Sequence, residues 1–211
     1  MRIFSVNGSP RGRAGNTDVM VRAFLEGARR AGAETQSAYL ADVKIGHCRA
    51  CHSCWSEPGG CVLEDDMAGI LSRMAGADLI VLATPVQLGN VSGMLKVFVD
   101  RLTVTGSPHA PKGEGGGRKP AEFVLVSSCG YPDKRSFDVV THWVRMLAAM
   151  MGTRVAAEVL AAQGKLLAAP EGGRTERVTE FLEAVARAGA EVASGGKVAD
   201  STAAVLERGP A

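Results

Sequence analysis

Apolar segments of strand length alternate with segments of helical periodicity along the whole chain, and this order calls for a parallel sheet covered by helices on both faces. Asp78–Thr84 (DLIVLAT) is the clearest strand, and Pro85 ends it. Arg2–Val6 reads as a buried first strand, with Thr35–Leu40, Glu122–Ser127 and Arg154–Leu160 as the others. Between them run helical stripes. The first carries Met20, Phe24 and Ala28 from about Thr17, and a later one carries Met94, Val97, Phe98 and Leu102. Two more carry Phe137, Val140, Val144 and Leu147, then Val178, Phe181, Leu182 and Val185. Asp65 and Asp66 open a short helix, where acidic side chains suit the positive end of the dipole. Five β-α units with right-handed crossovers make a doubly wound α/β sheet, and its ligands belong beyond the carboxyl ends of the strands. Residues 1–198 are expected to form one domain, with a cysteine loop at 47–66. Residues 199–211 are expected to fray as a flexible tail, and Lys112–Lys119 (KGEGGGRK) to form a flexible loop.

The composition suits a single domain of 211 residues, 46% hydrophobic and 22% charged, able to bury a full core. A net charge of +2 is too small to point to nucleic acid or a membrane surface as partner. No apolar run approaches the roughly 20 residues of a membrane-spanning helix. The chain enters its first strand with no signal-peptide pattern, which leads us to expect the cytoplasm. In that compartment thiols stay reduced, so the five cysteines are not expected to be a disulfide framework.

After the first strand the chain reads Asn7-Gly8-Ser9-Pro10-Arg11-Gly12-Arg13-Ala14-Gly15-Asn16-Thr17. Small residues allow a tight turn whose N–H groups converge on an anion. Ser9 and Thr17 add hydroxyls, Asn16 an amide and Arg11 a permanent charge, in front of a helix N-terminus. Neither a GxGxxG fingerprint nor a Gly-Lys-Ser/Thr motif is present, and hydroxyl donors with little fixed charge suit a monophosphate. An ordinary Gly/Ser turn with Thr17 capping the helix is the competing reading.

The segment GSPRGRAGNT resembles the phosphate loop of the NAD(P)H-dependent FMN reductase and multimeric-flavodoxin families. ATPVQLGNVSGMLKVFVDRL resembles the flavin loop and following helix of the same families. The resemblance covers about residues 1–150, and the rest more weakly. It implies a flavodoxin-like fold, bound FMN and a homodimer or homotetramer. One compact phosphate loop, with no second fingerprint for an adenylate, favours FMN over FAD.

Within that resemblance, Pro85, Val86, Gln87, Leu88, Gly89 and Asn90 leave the third strand where a loop can lie along a flavin ring and offer backbone N–H groups to it. The families commonly carry an aromatic residue where this chain has Val86, Gln87 and Leu88, so a ring face is left to be covered from elsewhere, such as a partner subunit. A plain strand-to-helix turn is the alternative. Ser127, Ser128, Cys129 and Gly130, after the fourth strand, would border the same cavity from the other side.

Cys48, Cys51, Cys54 and Cys61 form a C-x2-C-x2-C-x6-C run. Three thiols at successive x2 spacing with a fourth close by can wrap one 4Fe–4S cubane. Glu57-Pro58-Gly59-Gly60 provides the reversal that brings Cys61 back. Free or redox-active thiols and structural zinc are the competing readings. The iron–sulfur flavoproteins, a branch of the resembled family, carry a compact cysteine loop at this place. His47 and His52 flank the thiols as spare ligands or as solvated loop residues, and Trp55 could cover a cofactor or pack at a subunit interface.

These readings lead to an FMN-dependent oxidoreductase that takes hydride from NAD(P)H and passes electrons to a quinone, nitro compound, flavin or similar small-molecule acceptor. The alternative is an iron–sulfur flavoprotein that carries electrons to ferredoxin-like redox proteins. No catalytic side chain is identified by the sequence.

Overall fold

The computed structural model describes residues 1–58, 60–106 and 121–211. Gly59, in the expected reversal, and the Lys112–Lys119 stretch lie outside the described residues. Strands β1 (Arg2–Asn7), β2 (Glu34–Tyr39), β3 (Leu79–Pro85), β4 (Glu122–Ser128) and β5 (Val155–Ala161) form one parallel sheet in the order β2-β1-β3-β4-β5. All five expected strands are present, each end within one residue of its expected position.

The strand sequences explain why both faces are covered. Ile3, Leu79, Val81, Ala83, Val124 and Val126 alternate with Phe4, Val6, Ile80, Leu82, Phe123 and Leu125, so each strand sends every second side chain into a different core. Helices α1 (Asn16–Arg30) and α6 (Glu176–Gly195) cover the first set. Helices α3 (Met67–Met74), α4 (Gly93–Arg101) and α5 (Asp138–Met150) cover the second. A single turn, α2 (Ser53–Ser56), lies within the cysteine loop. No helix among the described residues is long and apolar enough to cross a membrane.

Helices α1 and α6 cross backbone to backbone. A Cβ on Gly27 would stand 1.7 Å from the Ala186 carbonyl oxygen, and one on Gly189 would stand 1.9 Å from that of Phe24. Only glycine fits either position, and the pair draws α6 down onto α1 and the sheet.

The expected flexible tail is instead helix α7 (Asp200–Arg208). Its Thr202 and Leu206 are buried, and Val205 packs against the α1/α6 core. Glu191 of α6 holds the helix start, accepting from the Ala199 amide at 2.9 Å and the Thr202 hydroxyl at 2.7 Å. Arg208 reaches Glu180 of α6 at 2.6 Å, and Gly209, at φ +77°, ends the helix.

The strand order places the reversal of winding between β1 and β3. The loops after these strands leave toward opposite faces, which opens a crevice at the carboxyl edge.

Candidate functional site

The loop after β1 is built from its own polar groups. Asn7 is buried; its Oδ1 accepts from the Ser9 amide at 2.9 Å, and its Nδ2 donates to Asp18 Oδ1 at 3.1 Å. The other Asp18 oxygen stands 3.0 Å from Arg22 Nε, at ion-pair distance without hydrogen-bond alignment. Ser9 is buried, and its hydroxyl accepts from the Arg11 amide at 3.3 Å. Gly12 takes φ +50° in a short 3-10 turn, and a Cβ at Gly15 would come within 2.6 Å of Ser9 Oγ. The loop therefore wraps closely around Ser9 and delivers the chain to the first turn of α1, whose N–H groups have no partner within the helix.

Three strand-end loops are tied into one unit. The Gly8 amide donates to Ala83 O at 2.7 Å, and Ser92 Oγ donates to Gly8 O at 2.6 Å while capping α4 through the Leu95 amide. A Cβ on Gly8 would sit 2.7 Å from Leu95 Cβ, so this close approach needs glycine. Thr84 Oγ1 accepts from the Ser92 amide at 2.9 Å, and Ser127 Oγ donates to Thr84 O at 2.8 Å. The Val86 amide donates to Ser128 O at 2.8 Å, and Ser128 Oγ pairs with Thr17 Oγ1 at 2.8 Å. Asn7, Thr84 and Ser92 lie in the segments that the sequence marked, but their tying role was not read there, because nothing in their spacing marks a buried hydrogen bond between distant loops.

The structure thus brings Ser9, Thr17, Pro85, Val86, Ser127 and Ser128 to one place at the carboxyl edge. Arg11 stands exposed, and Asn16 is half-buried at the start of α1. Gln87 and Asn90 exchange backbone hydrogen bonds of 2.8 and 3.0 Å across Leu88 and Gly89, at φ +48° and +76°. Those angles make a tight two-residue turn and thrust Leu88 fully into solvent. On the other side Gly130 is exposed. Cys129 is buried; its thiol donates to the Tyr131 carbonyl, and it packs with Phe137 and Ala162. Tyr131, which the sequence reading passed over, is 71% exposed beside this turn. An aromatic residue two positions after Cys129 was the available signal.

The donor set fits a phosphate monoester. In the Thr17–Ser128 pair one hydroxyl proton is used between the two oxygens, leaving one O–H free to donate to an anion. Ser9, the first-turn amides of α1 and the exposed Arg11 complete a cradle with one fixed positive charge.

A second centre lies in the loop between β2 and α3. Its neck is laced shut: the Lys44 amide donates to Asp66 Oδ2 at 2.7 Å, the Gly46 amide to Asp65 Oδ2 at 2.9 Å, and the Asp66 amide to Lys44 O at 3.1 Å. Arg101 of α4 reaches under this neck. Its Nη1 donates to Gly46 O at 2.9 Å and Asp65 Oδ2 at 2.6 Å, and its Nη2 to Asp65 Oδ1 at 3.2 Å. Asp65 also accepts from the Met67 amide at the start of α3, the role its acidity had suggested. Burial alone would raise the Asp65 carboxyl, but hydrogen bonds from Arg101, Gly46 and Met67 hold it below its ordinary range.

Beyond the neck, Ala50 and His52 adopt left-handed conformations at φ +50° and +60°, which turn the chain sharply between successive cysteines. Cys48, Cys51, Cys54 and Cys61 line one cavity of about 140 Å3, together with Arg101; Cys129 is not among its walls. None of the four is joined in a disulfide among the described residues. Serine 53 hydroxyl and amide groups beside Cys51 pull its thiol down, whereas burial and the neighbouring Cys61 push Cys54 up. Among the described residues no three His, Cys, Asp or Glu side chains are grouped closely enough to grip a metal ion as they stand. Four thiols around one cavity with a fixed cation in its wall fit a thiolate-bound cluster, whose net charge is negative. Trp55 donates its indole N–H to Thr103 O at 3.1 Å, anchoring α2 to the segment after α4 within the same chain.

Comparison with known proteins places these two centres in context. The chain is 41% identical over 101 residues to an iron–sulfur flavoprotein of Methanocaldococcus jannaschii, an alignment covering 48% of this chain and 51% of that one. It is 31% identical over 134 residues to an iron–sulfur flavoprotein of Archaeoglobus fulgidus, covering 64% and 58% of the two chains. The chain therefore spans about half the length of these curated relatives. Its fold matches the solved NAD(P)H:quinone oxidoreductase from Methanothermobacter marburgensis with a TM-score of 0.61 at 19% identity, covering 91% of this chain and 96% of that one. Residues 1–166, which hold the strand-end cradle, the cysteine loop and all five strands, match the NADPH-dependent FMN reductase family, and the chain belongs to it.

Proposed function

We propose that the chain is an FMN-dependent NAD(P)H oxidoreductase, with Ser9, Arg11, Asn16, Thr17 and the α1 N-terminus holding the FMN phosphate. The observation that carries this is the union of three strand-end loops through Thr17, Ser128 and Val86, which sets an anion cradle beside a turn able to border a planar ring. Bound FMN supplies hydride chemistry, accepting from NAD(P)H and serving a quinone, nitro, flavin or similar small-molecule acceptor. The protein's part is to hold the ring: in the Pro85–Asn90 turn the Val86, Gln87 and Asn90 amides are already engaged, which leaves the Leu88 and Gly89 N–H groups as the donors, opposite the Gly130 N–H of the Ser127–Gly130 segment. Anaerobic purification, denaturation and chromatography of the released flavin test the reading, followed by NADH and NADPH oxidation with quinone and nitro acceptors. FMN and turnover are expected; FAD, or no flavin uptake, overturns it.

The cysteine cavity favours a second reading, an iron–sulfur flavoprotein that passes electrons to a redox protein. A 4Fe–4S cluster on Cys48, Cys51, Cys54 and Cys61 would supply one-electron transfer. The shared naming of the archaeal relatives supports it. A brown protein with broad absorption near the flavin bands, and with iron and sulfide by analysis, is the expected result.

Leu88, fully exposed in the turn after β3, and Tyr131, 71% exposed after β4, leave apolar surface at the carboxyl edge that a second copy of the chain would cover. That surface supports a homodimer or homotetramer as the active form. Light scattering that shows a monomer with full FMN content overturns the oligomer.

A further inference from the structure

Arg101 is an unusual residue to find at the cysteine cavity. Its side chain is 2% exposed, and burying a guanidinium without full compensation is costly. Two of its nitrogens are satisfied by Gly46 and Asp65, but Nε is buried with no hydrogen-bond partner. The same side chain forms part of the wall shared by the four thiols, whereas Asp65, its counter-ion, does not. The ion pair with Asp65 at 2.6 Å keeps the buried guanidinium charged. A structural ion pair with Asp65 alone would not call for the same guanidinium to form part of a cavity wall with four thiols.

We propose that Arg101 is the positioning residue of the cysteine site: its fork on Gly46 and Asp65 holds the loop neck closed while its fixed charge faces the four thiols and stabilises added negative charge on a cluster they bind. The proposal rests on the reading of that cavity as the seat of an iron–sulfur cluster. One electron enters such a cluster with no bond made or broken, so a cation in the cavity wall favours the reduced state and raises the potential. Lysine at this position keeps the charge and loses the fork; glutamine loses the charge.

The test uses the full chain, reconstituted anaerobically with ferrous iron and sulfide, and reads iron and sulfide content, the electron-spin signal of the reduced cluster and its midpoint potential. Arg101→Gln should lower the equilibrium constant for reduction by about tenfold or more, a fall of about 59 mV for a one-electron couple. Arg101→Lys should stay within about threefold of the wild type, since the charge dominates the effect. Because Arg101→Gln leaves Asp65 unpaired, the double variant Arg101→Gln/Asp65→Asn provides a neutral pair that keeps the fold. It should also fall below the wild type, because only the arginine faces the cavity. A loaded glutamine or double variant with the wild-type potential overturns the role of Arg101 alone. A wild type that binds no iron or sulfide overturns the cluster reading and this assignment with it.

Discussion

Thr17 and Ser128, 111 positions apart, meet as two buried hydroxyls 2.8 Å from each other. The first opens α1 and the second ends β4, so one hydrogen bond joins the loop proposed to hold phosphate to the far side of the crevice. Ser9→Ala combined with Thr17→Ala is expected to weaken FMN binding by about 2–4 kcal/mol, since bonds to a charged group are worth roughly 1.5–3 kcal/mol each and water replaces part of the loss. Titration of apoprotein with FMN checks this. Unchanged affinity would place the phosphate elsewhere.

Gly27→Ala should destabilise the protein by about 3 kcal/mol or more, at the upper end of overpacking costs, because the new Cβ would overlap a backbone carbonyl that cannot turn aside. Gly69→Ala, in α3, is the matched control: nothing lies within 4 Å of its Cβ position. There the change should stabilise by about 0.5–1 kcal/mol through helix propensity. Urea unfolding of both variants distinguishes a packing constraint from a general dislike of alanine.

Deleting residues 199–211 should cost about 2–4 kcal/mol, the burial of Leu206 and Val205 together with the Thr202–Glu191 bond. A melting temperature lowered by several degrees, with the sheet's circular dichroism retained, is the expected result. An unchanged melting curve would mean that α7 is a passive appendage.

Serine replacement of Cys48, Cys51, Cys54 or Cys61, under anaerobic preparation, should abolish or perturb the cluster at each position. Cys129→Ser should leave it intact, because Cys129 is buried in a separate cluster with Phe137 and Ala162. Iron content and visible spectra provide the readout. A cluster that survives loss of Cys61 but not of Cys129 reverses the assignment.

The strands were legible because a buried parallel strand needs an unbroken apolar run, and Asp78–Thr84 has one. The place of Ser9 and Thr17 was legible too, since small and hydroxyl residues after a first strand predict a tight loop at the carboxyl edge, whether it holds a phosphate or only caps the helix. Helix α7 was not read from STAAVLER, although Asp200 at its start and Gly209-Pro210 at its end are ordinary helix signals. Its apolar face is only two residues wide, too narrow to register without knowing what it covers. Arg101 was invisible for a deeper reason. It sits at a helical position in a segment whose other polar residues face water, and only the folded chain shows that Gly46, Asp65 and Cys61 converge on it.

The laced neck of the cysteine loop makes it a cassette. Lys44, Gly46, Asp65 and Asp66 close the chain upon itself before it enters the thiol-bearing turn, so the main attachment to the rest of the fold is the neck, supplemented by the Trp55–Thr103 bond. Once the ends are joined, doubling a loop's length adds only about 0.6 kcal/mol of closure entropy. Residues 47–64 should therefore tolerate loss of their sulfurs without disturbing the loops across the β1/β3 crevice, provided that the neck and the Trp55–Thr103 bond remain. On the proposed reading, such a scaffold would trade a one-electron relay for a bare surface loop while the flavin site stays in place, so the number of electrons handled at a time would be a property of one part.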